Sequence, residues 1–241
     1  MEELKIFTRA VERWDRDAGK EMPEYLKWFY NVFLDVYEEI YQETANMGGQ
    51  KYRYDYAVRG MKDLVNAYQE EAEWYHQRYV PPFEEYLHVT MLSSTYQVLC
   101  LTSFVGMGDE ATELPFKWAA EQPKILRASQ FIARLMDDIA GHKQEKKRGH
   151  AISAVECYMK EHGDLTEEEA KKELHARVLN AWKDINEGCL RPNPIQMTLL
   201  TRILNLTKFL HVAYEDIDHY THPETKFKEY IRCTIAEPLV M

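Results

Sequence analysis

Few breaks interrupt this chain, and that restricts its fold more than any other feature. Only 10 glycines and 9 prolines are spread over 241 residues. Between them the apolar positions recur at three- and four-residue steps, and no stretch alternates residue by residue as a half-buried strand does. The spacing predicts helices over 2–17, 24–46, 53–79, 83–104, 110–119, 124–146, 150–162, 166–188, 194–214 and 224–236. Gly48-Gly49, Gly106-Met107-Gly108 and Gly163 are helix stops, and Pro81-Pro82 separates two long helices. Thr166 followed by Glu169 has the form of a capping box, each side chain satisfying an amide of the other's turn. One all-α domain, a helical bundle, is the expectation. Leu4, Phe7, Ala10, Val11 and Trp14 already form a helical stripe, so the chain is expected to start inside a larger fold.

Charge and cysteines exclude several functions. Forty acids against 30 bases give a net charge of -10, which disfavours a nucleic-acid surface. The four cysteines, Cys100, Cys157, Cys189 and Cys233, form no CxxC pair and read as small core residues of a reducing compartment. No apolar run approaches a membrane span, and the first residues carry neither a secretory signal nor an Arg/Ser-rich transit segment. Asn205-Leu206-Thr207 matches a glycosylation sequon, but it falls in an apolar helical stretch. The nine histidines form no HExxH, and neither GxSxG nor a phosphate-cradling Walker loop occurs.

The segment from Met136 to Gly149, MDDIAGHKQEKKRG, is different. On a helix Asp137, Gly141 and Glu145 stay on one side, because each step of four residues advances only about 40°. Arg134, three residues ahead, faces roughly the same way. Asp137 and Glu145 are about 12 Å apart along the axis, so they meet one ion only if their side chains lean together, with Gly141 leaving space between. Mg²⁺ suits such a pair: it takes few protein oxygens and completes its shell with water and substrate phosphate. Arg134 would present a planar fork to the same phosphate. The plainer alternative is a solvated face paired with Lys143, Lys146 and Lys147. Against it stand Phe131, Ile132, Leu135, Met136 and Ile139, an apolar flank in which an unsatisfied diacid is costly.

At these residues the sequence resembles plant class I terpene synthases of the sesquiterpene synthase type. The second metal motif of that family, (N/D)D-x-x-(S/T/G)-x-x-x-E, is matched by Asp137-Asp138-Ile-Ala-Gly141-His-Lys-Gln-Glu145. Arg134 precedes it, and Lys147-Arg148-Gly149-His150 and Ser153-Ala-Val-Glu-Cys-Tyr-Met159 follow in the family's manner. Arg13-Trp14-Asp15, Ser103 to Gly108, Pro123-Lys124-Ile125, Ala181 to Asn186 and Tyr220-Thr-His-Pro223 resemble further stretches in family order. The resemblance implies the isoprenoid synthase helical bundle, with residues 1–241 as the C-terminal portion of the catalytic α domain. It implies Mg²⁺, with Mn²⁺ as the substitute, on Asp137, Asp138 and Glu145, with Gly141 in the place of a hydroxyl ligand and water in its stead. It implies diphosphate contacts from Arg134 and Arg148, a pocket stretch at Ser93, Ser94 and Thr95 that breaks a helix, and a lid bearing Tyr214, Asp218 and Tyr220.

Gly141 replaces the Ser or Thr of many members, and these 241 residues contain neither the family's DDxxD motif nor its upstream RxR clamp. One acidic wall of two is therefore expected, and the 241 residues alone are expected not to cyclise substrate without an upstream segment or partner chain. The implied reaction is ionisation and cyclisation of a prenyl diphosphate, farnesyl diphosphate first among them, in the cytoplasm. Beside it stand a catalytically silent helical remnant that binds prenyl diphosphate and a scaffold whose half-core docks another chain.

Overall fold

The structure, a computed structural model, describes residues 1–46, 48, 50–148, 152–224 and 226–236, the side chains of Arg148 and Lys226 excepted. Gly49, Gly149 and His150, each named above, lie outside the described residues. The α-helices are α1 (Glu2–Arg13), α2 (Glu24–Asn46), α3 (Tyr52–Gln77), α4 (Phe83–Ser93), α5 (Tyr96–Val105), α6 (Glu113–Ala120), α7 (Lys124–Arg148), α8 (Ala154–Glu161), α9 (Glu167–Gly188), α10 (Met197–Tyr214) and α11 (Lys226–Ile231). Among the described residues there is no strand.

Helix α7 is central. It packs against α9 and α10 along its length, and against α4, α5 and α8. Its inner face, with Ile125, Leu126, Ile132, Leu135 and Met136, is buried to within a few per cent of complete. Gly188 lets α9 come this close: a Cβ there would lie 2.6 Å from Ile125 Cβ. The main core spans α3 to α10, and a smaller one of Ala10, Val11, Met22, Tyr30 and Leu34 joins α1 to α2.

Four expected boundaries move. The first helix stops at Arg13, not residue 17, because Trp14 turns left-handed (φ 54°) to pack edge-on against Phe33 and Tyr37; a 3-10 turn follows at Arg16–Glu21. The run 150–162 begins only at Ala154, where Ser153 and Glu156 form a capping box that the sequence reading missed. The last run becomes α11 and a π turn at Arg232–Ala236. The run 83–104 is two helices, broken at Ser94-Thr95. Three hydroxyls turn back on the ladder there: Thr90 donates to the Tyr86 carbonyl (2.8 Å), Ser93 to Thr90 (3.2 Å) and Ser94 to Met91 (2.6 Å). Thr95 then sits at φ 70°, a conformation that costs a β-branched residue about 1–3 kcal/mol. The capping box at Thr166 and Glu169 forms as expected.

Cys100 and Cys157 are core residues, but Cys189 is half-buried and Cys233 is exposed, which corrects their grouping as core. Thr207 is buried and donates to the Ile203 carbonyl while bonded to Ser129, as suits packing. None of the described helices is long and apolar enough to cross a membrane.

Candidate active site

Burial makes Asp137 and Asp138 different from each other. Neighbouring residues on a helix point about 100° apart, so only one can face an opening. Asp138 points inward and is 2% exposed. Its Oδ2 accepts from the Tyr86 hydroxyl and from the Ala154 amide, both at 2.7 Å. Its Oδ1 accepts from Arg134 Nη1 at 3.2 Å. The carboxylate thus caps the first turn of α8 and anchors α4 to α7. Both of its oxygens already accept hydrogen bonds within the protein.

Asp137 points into a cavity of about 380 Å³. Ser93, Ser94, Thr95, Tyr96 and Leu99 line it from the α4–α5 break, Ala133 and Arg134 from α7, Leu206, Phe209, Leu210 and Tyr214 from α10, Tyr68 from α3, and Tyr220 from the turn beyond α10. Its lining mixes polar groups, Arg134, Asp137 and the 93–95 hydroxyls, with leucines and aromatic rings. Arg134 is braced four ways. It donates to the Thr90 carbonyl (3.3 Å) and to Ser93 Oγ (3.1 Å), and it pairs with Asp138 and, at 3.5 Å, with Asp137. The Thr90 carbonyl and the Ser93 hydroxyl of the broken helix therefore hold the guanidinium against the cavity.

Glu145 lies two turns beyond Asp137, and its side chain leans back. A Cβ added to Gly141 would lie 3.4 Å from Glu145 Cδ and 3.5 Å from Oε1, so the carboxyl rests over the bare glycine. Helical side chains tilt towards the N-terminus, which shortens the reach between the two acids. Burial, then the charges of Asp138 and Asp137, push Glu145 up to about 7. Burial likewise pushes Asp137 up to about 6, against the pull of Arg134. Two half-buried carboxyls raised by burial and by neighbouring acids are hard oxygen donors of the kind that fit a divalent cation. Among the described residues no three His, Cys, Asp or Glu side chains converge closely enough to hold a metal by themselves.

The sign of the resulting pH dependence follows from these values. Unfolded, Asp and Glu titrate near 3.9 and 4.3, so the folded chain holds more protons than the unfolded one from about pH 4 to 7. Stability must then fall as pH rises through that window. In thermal melts with EDTA the melting temperature is expected to decline between pH 5 and 7.5. A variant carrying Asp137→Asn and Glu145→Gln is expected to flatten that decline. An equally steep decline in the variant would assign it to other groups.

The turn after α10 places the remaining candidates. Tyr214 lines the cavity beside Asp137, and burial with the charges of Asp137 and Asp218 raises its hydroxyl well above the ordinary range. Asp218 Oδ1 accepts from the amides of Tyr220 (2.9 Å) and Thr221 (3.1 Å), an Asx turn that fixes the backbone at Tyr220. Tyr220 is 58% exposed and stands at the rim, among Tyr214, Phe209 and Phe227 at 5.9, 6.4 and 5.3 Å between ring centres. Arg148 closes α7, and its side chain lies outside the described residues. The structure thus brings Arg134, Asp137, Tyr214, Tyr220 and the 93–95 stretch to one cavity, while Glu145 rests over Gly141 outside its lining and Asp218 fixes the backbone at Tyr220.

Sequence reasoning missed Glu71. It reaches the far side of Arg134 from α3, with Oε1 buried and without a hydrogen-bond partner, and burial raises its carboxyl. Nothing near Glu71 in the chain signals this, because Arg134 is 63 residues away. Tyr68, one turn earlier, was missed for the same reason.

Known proteins match the chain throughout. The description "Terpene synthase family, metal binding domain" covers residues 1–184. Sesquiterpene synthase 2 of Toona sinensis is 46% identical over 238 residues, 99% of this chain and 42% of that protein. Valencene synthase of Vitis vinifera is 51% identical over 221 residues, 92% of this chain and 39% of that protein. The structure of isoprene synthase from grey poplar leaves, in complex with three Mg²⁺ ions and dimethylallyl-S-thiolodiphosphate, superposes with a TM-score of 0.89 at 26% identity, covering 99% of this chain and 45% of that one. The chain thus spans less than half the length of the relatives it matches. By the extent of these matches and by its all-helical architecture, the chain belongs to the terpene synthase family.

Proposed function

We propose that this chain forms part of a cytoplasmic sesquiterpene cyclase, which ionises a prenyl diphosphate, farnesyl diphosphate first, and closes the hydrocarbon into a ring with release of diphosphate. The observation that carries the reading is the mixed lining of one cavity. Arg134 and Asp137 line it beside Leu99, Leu206, Leu210 and aromatic rings, and Glu145 leans back over Gly141 towards Asp137. A substrate with an anionic head and an apolar tail needs that mixture.

Asp137 and Glu145 would hold Mg²⁺. Such a cation supplies positive charge to a leaving diphosphate. Arg134 offers the same head a fixed cation whose geometry is set before substrate arrives. Arg148 follows on the same helix and is assigned to the diphosphate by the family motif alone. The apolar wall keeps water from the allylic cation, and the faces of Tyr214 and Tyr220 stabilise it. Asp218 orients Tyr220 through its amide bonds. The relatives' names, and the Mg²⁺ and thiolodiphosphate in the isoprene synthase complex, support this reading.

The test uses the sequence as it stands and joined to an upstream part. The 241 residues contain no DDxxD, so alone they are expected to yield little cyclic product from farnesyl diphosphate and Mg²⁺. Fused behind the upstream part of the Toona sinensis relative, they are expected to give cyclic sesquiterpenes, abolished by EDTA and read by gas chromatography with mass spectrometry. A folded fusion that releases neither hydrocarbon nor diphosphate, with the intact relative active alongside, overturns the proposal.

A further inference from the structure

Four tyrosines line the cavity: Tyr68, Tyr96, Tyr214 and Tyr220. Three have evident work. The Tyr96 hydroxyl donates to the Leu206 carbonyl at 3.1 Å. Tyr214 and Tyr220 belong to the aromatic cluster with Phe209 and Phe227. Tyr68 stands apart. It is 45% exposed, although it lines a cavity, and its hydroxyl makes no hydrogen bond among the described residues.

Tyr68 lines the same cavity as Arg134, Ser93 and Asp137, and the charges of Arg134, Glu71 and Asp137 act on it. Burial also keeps the proton on the oxygen at neutral pH. The result is a neutral, unengaged donor on α3 in the cavity that Arg134 and Asp137 of α7 also line. Carboxylates close by have not captured its proton in a hydrogen bond. The natural acceptor is an anion that Arg134 also faces.

We propose that the Tyr68 hydroxyl donates a hydrogen bond to an oxygen of the diphosphate head, opposite Arg134. The assignment rests on reading the cavity mouth as a diphosphate site. It gives α3 a share in a site that the sequence places wholly on α7. A neutral donor also suits the position: a second cation so close to Arg134 would repel it, and a third acid would repel the ligand.

The test is calorimetric titration of inorganic pyrophosphate with Mg²⁺ into the wild-type protein, Tyr68→Phe and Arg134→Lys, with a thermal melt of each. Tyr68→Phe is expected to bind about tenfold more weakly, the loss of one hydrogen bond to a charged acceptor, at an unchanged melting temperature. Arg134→Lys is expected to weaken binding as well, through loss of the planar fork. Wild-type affinity in Tyr68→Phe beside weakened Arg134→Lys overturns the role of Tyr68 and leaves the diphosphate site standing. A lowered melting temperature in Tyr68→Phe would mean a structural hydroxyl and overturns it too. No pyrophosphate binding by the wild-type protein overturns both the inference and the reading beneath it.

Discussion

Asp138→Ala is expected to lower the melting temperature by about 10 °C, although Asp138 sits in the middle of a metal motif. The variant removes a carboxylate that is 2% exposed and leaves three buried donors behind: the Tyr86 hydroxyl, the Ala154 amide and Arg134 Nη1. Breaking a buried pair by removing one partner costs about 3–5 kcal/mol, and each kcal/mol shifts a domain of this size by about 2–4 °C. Asp138→Asn should recover part of the loss, since its amide oxygen can still accept from Ala154 or Tyr86. Differential scanning calorimetry at pH 7 in EDTA reads the effect without any metal. A shift of only a degree or two in Asp138→Ala would show that the three donors find water and that Asp138 is not a structural anchor.

Asp137→Ala should behave in the opposite way. Its carboxyl faces the cavity with 32% of its side chain exposed, held by Arg134 at 3.5 Å. Removing it also relieves repulsion from Asp138 and Glu145, so the melting temperature in EDTA is expected to stay within a few degrees of wild type. Mg²⁺-dependent turnover in the fused protein is expected to fall at least about 100-fold, the usual scale for loss of one group that stabilises developing negative charge. A second readout separates this from general damage: without Asp137, Glu145 loses one of the charges that raise it, so its titration should move below about 7. Carbon-detected NMR of the Glu145 carboxyl follows that shift. Undiminished turnover in Asp137→Ala would remove Asp137 from the proposed metal site.

These two variants differ by one position in the chain, and nothing local tells them apart. The motif spacing places Asp137, Gly141 and Glu145 on one face, and Glu145 does lean over Gly141. That much is legible because a helix maps spacing onto direction at a fixed angle. Asp138 lies about 100° away, and its direction means nothing until α4 and α8 are in place. Tyr86 comes from 52 residues earlier and Ala154 from 16 later. The resemblance to a family gave the pair one collective role, and packing divided it.

The break at Ser94-Thr95 shows a middle case. The hydroxyl-rich run was visible and the family resemblance pointed to a broken helix, yet periodicity alone ran one helix across 83–104. Hydroxyls that bond back to their own ladder compete with helix continuation only weakly, so local sequence leaves the choice open. Tertiary contacts settle it: Ser93 and the Thr90 carbonyl hold Arg134, and that bracing exists only with α4 lying against α7.

What the sequence determined by itself is therefore the set of helices and the acidic face of α7. Both are written in short-range spacing, repeated over many turns with few glycines and prolines to interrupt it. What only the tertiary structure decided is the closure of the site. Tyr68 lines the cavity from α3 and Glu71 of α3 feels the charge of Arg134, both more than sixty residues before Arg134 and Asp137. Electrostatic contact depends on distance in space, and chain separation carries almost no information about it once helices have packed.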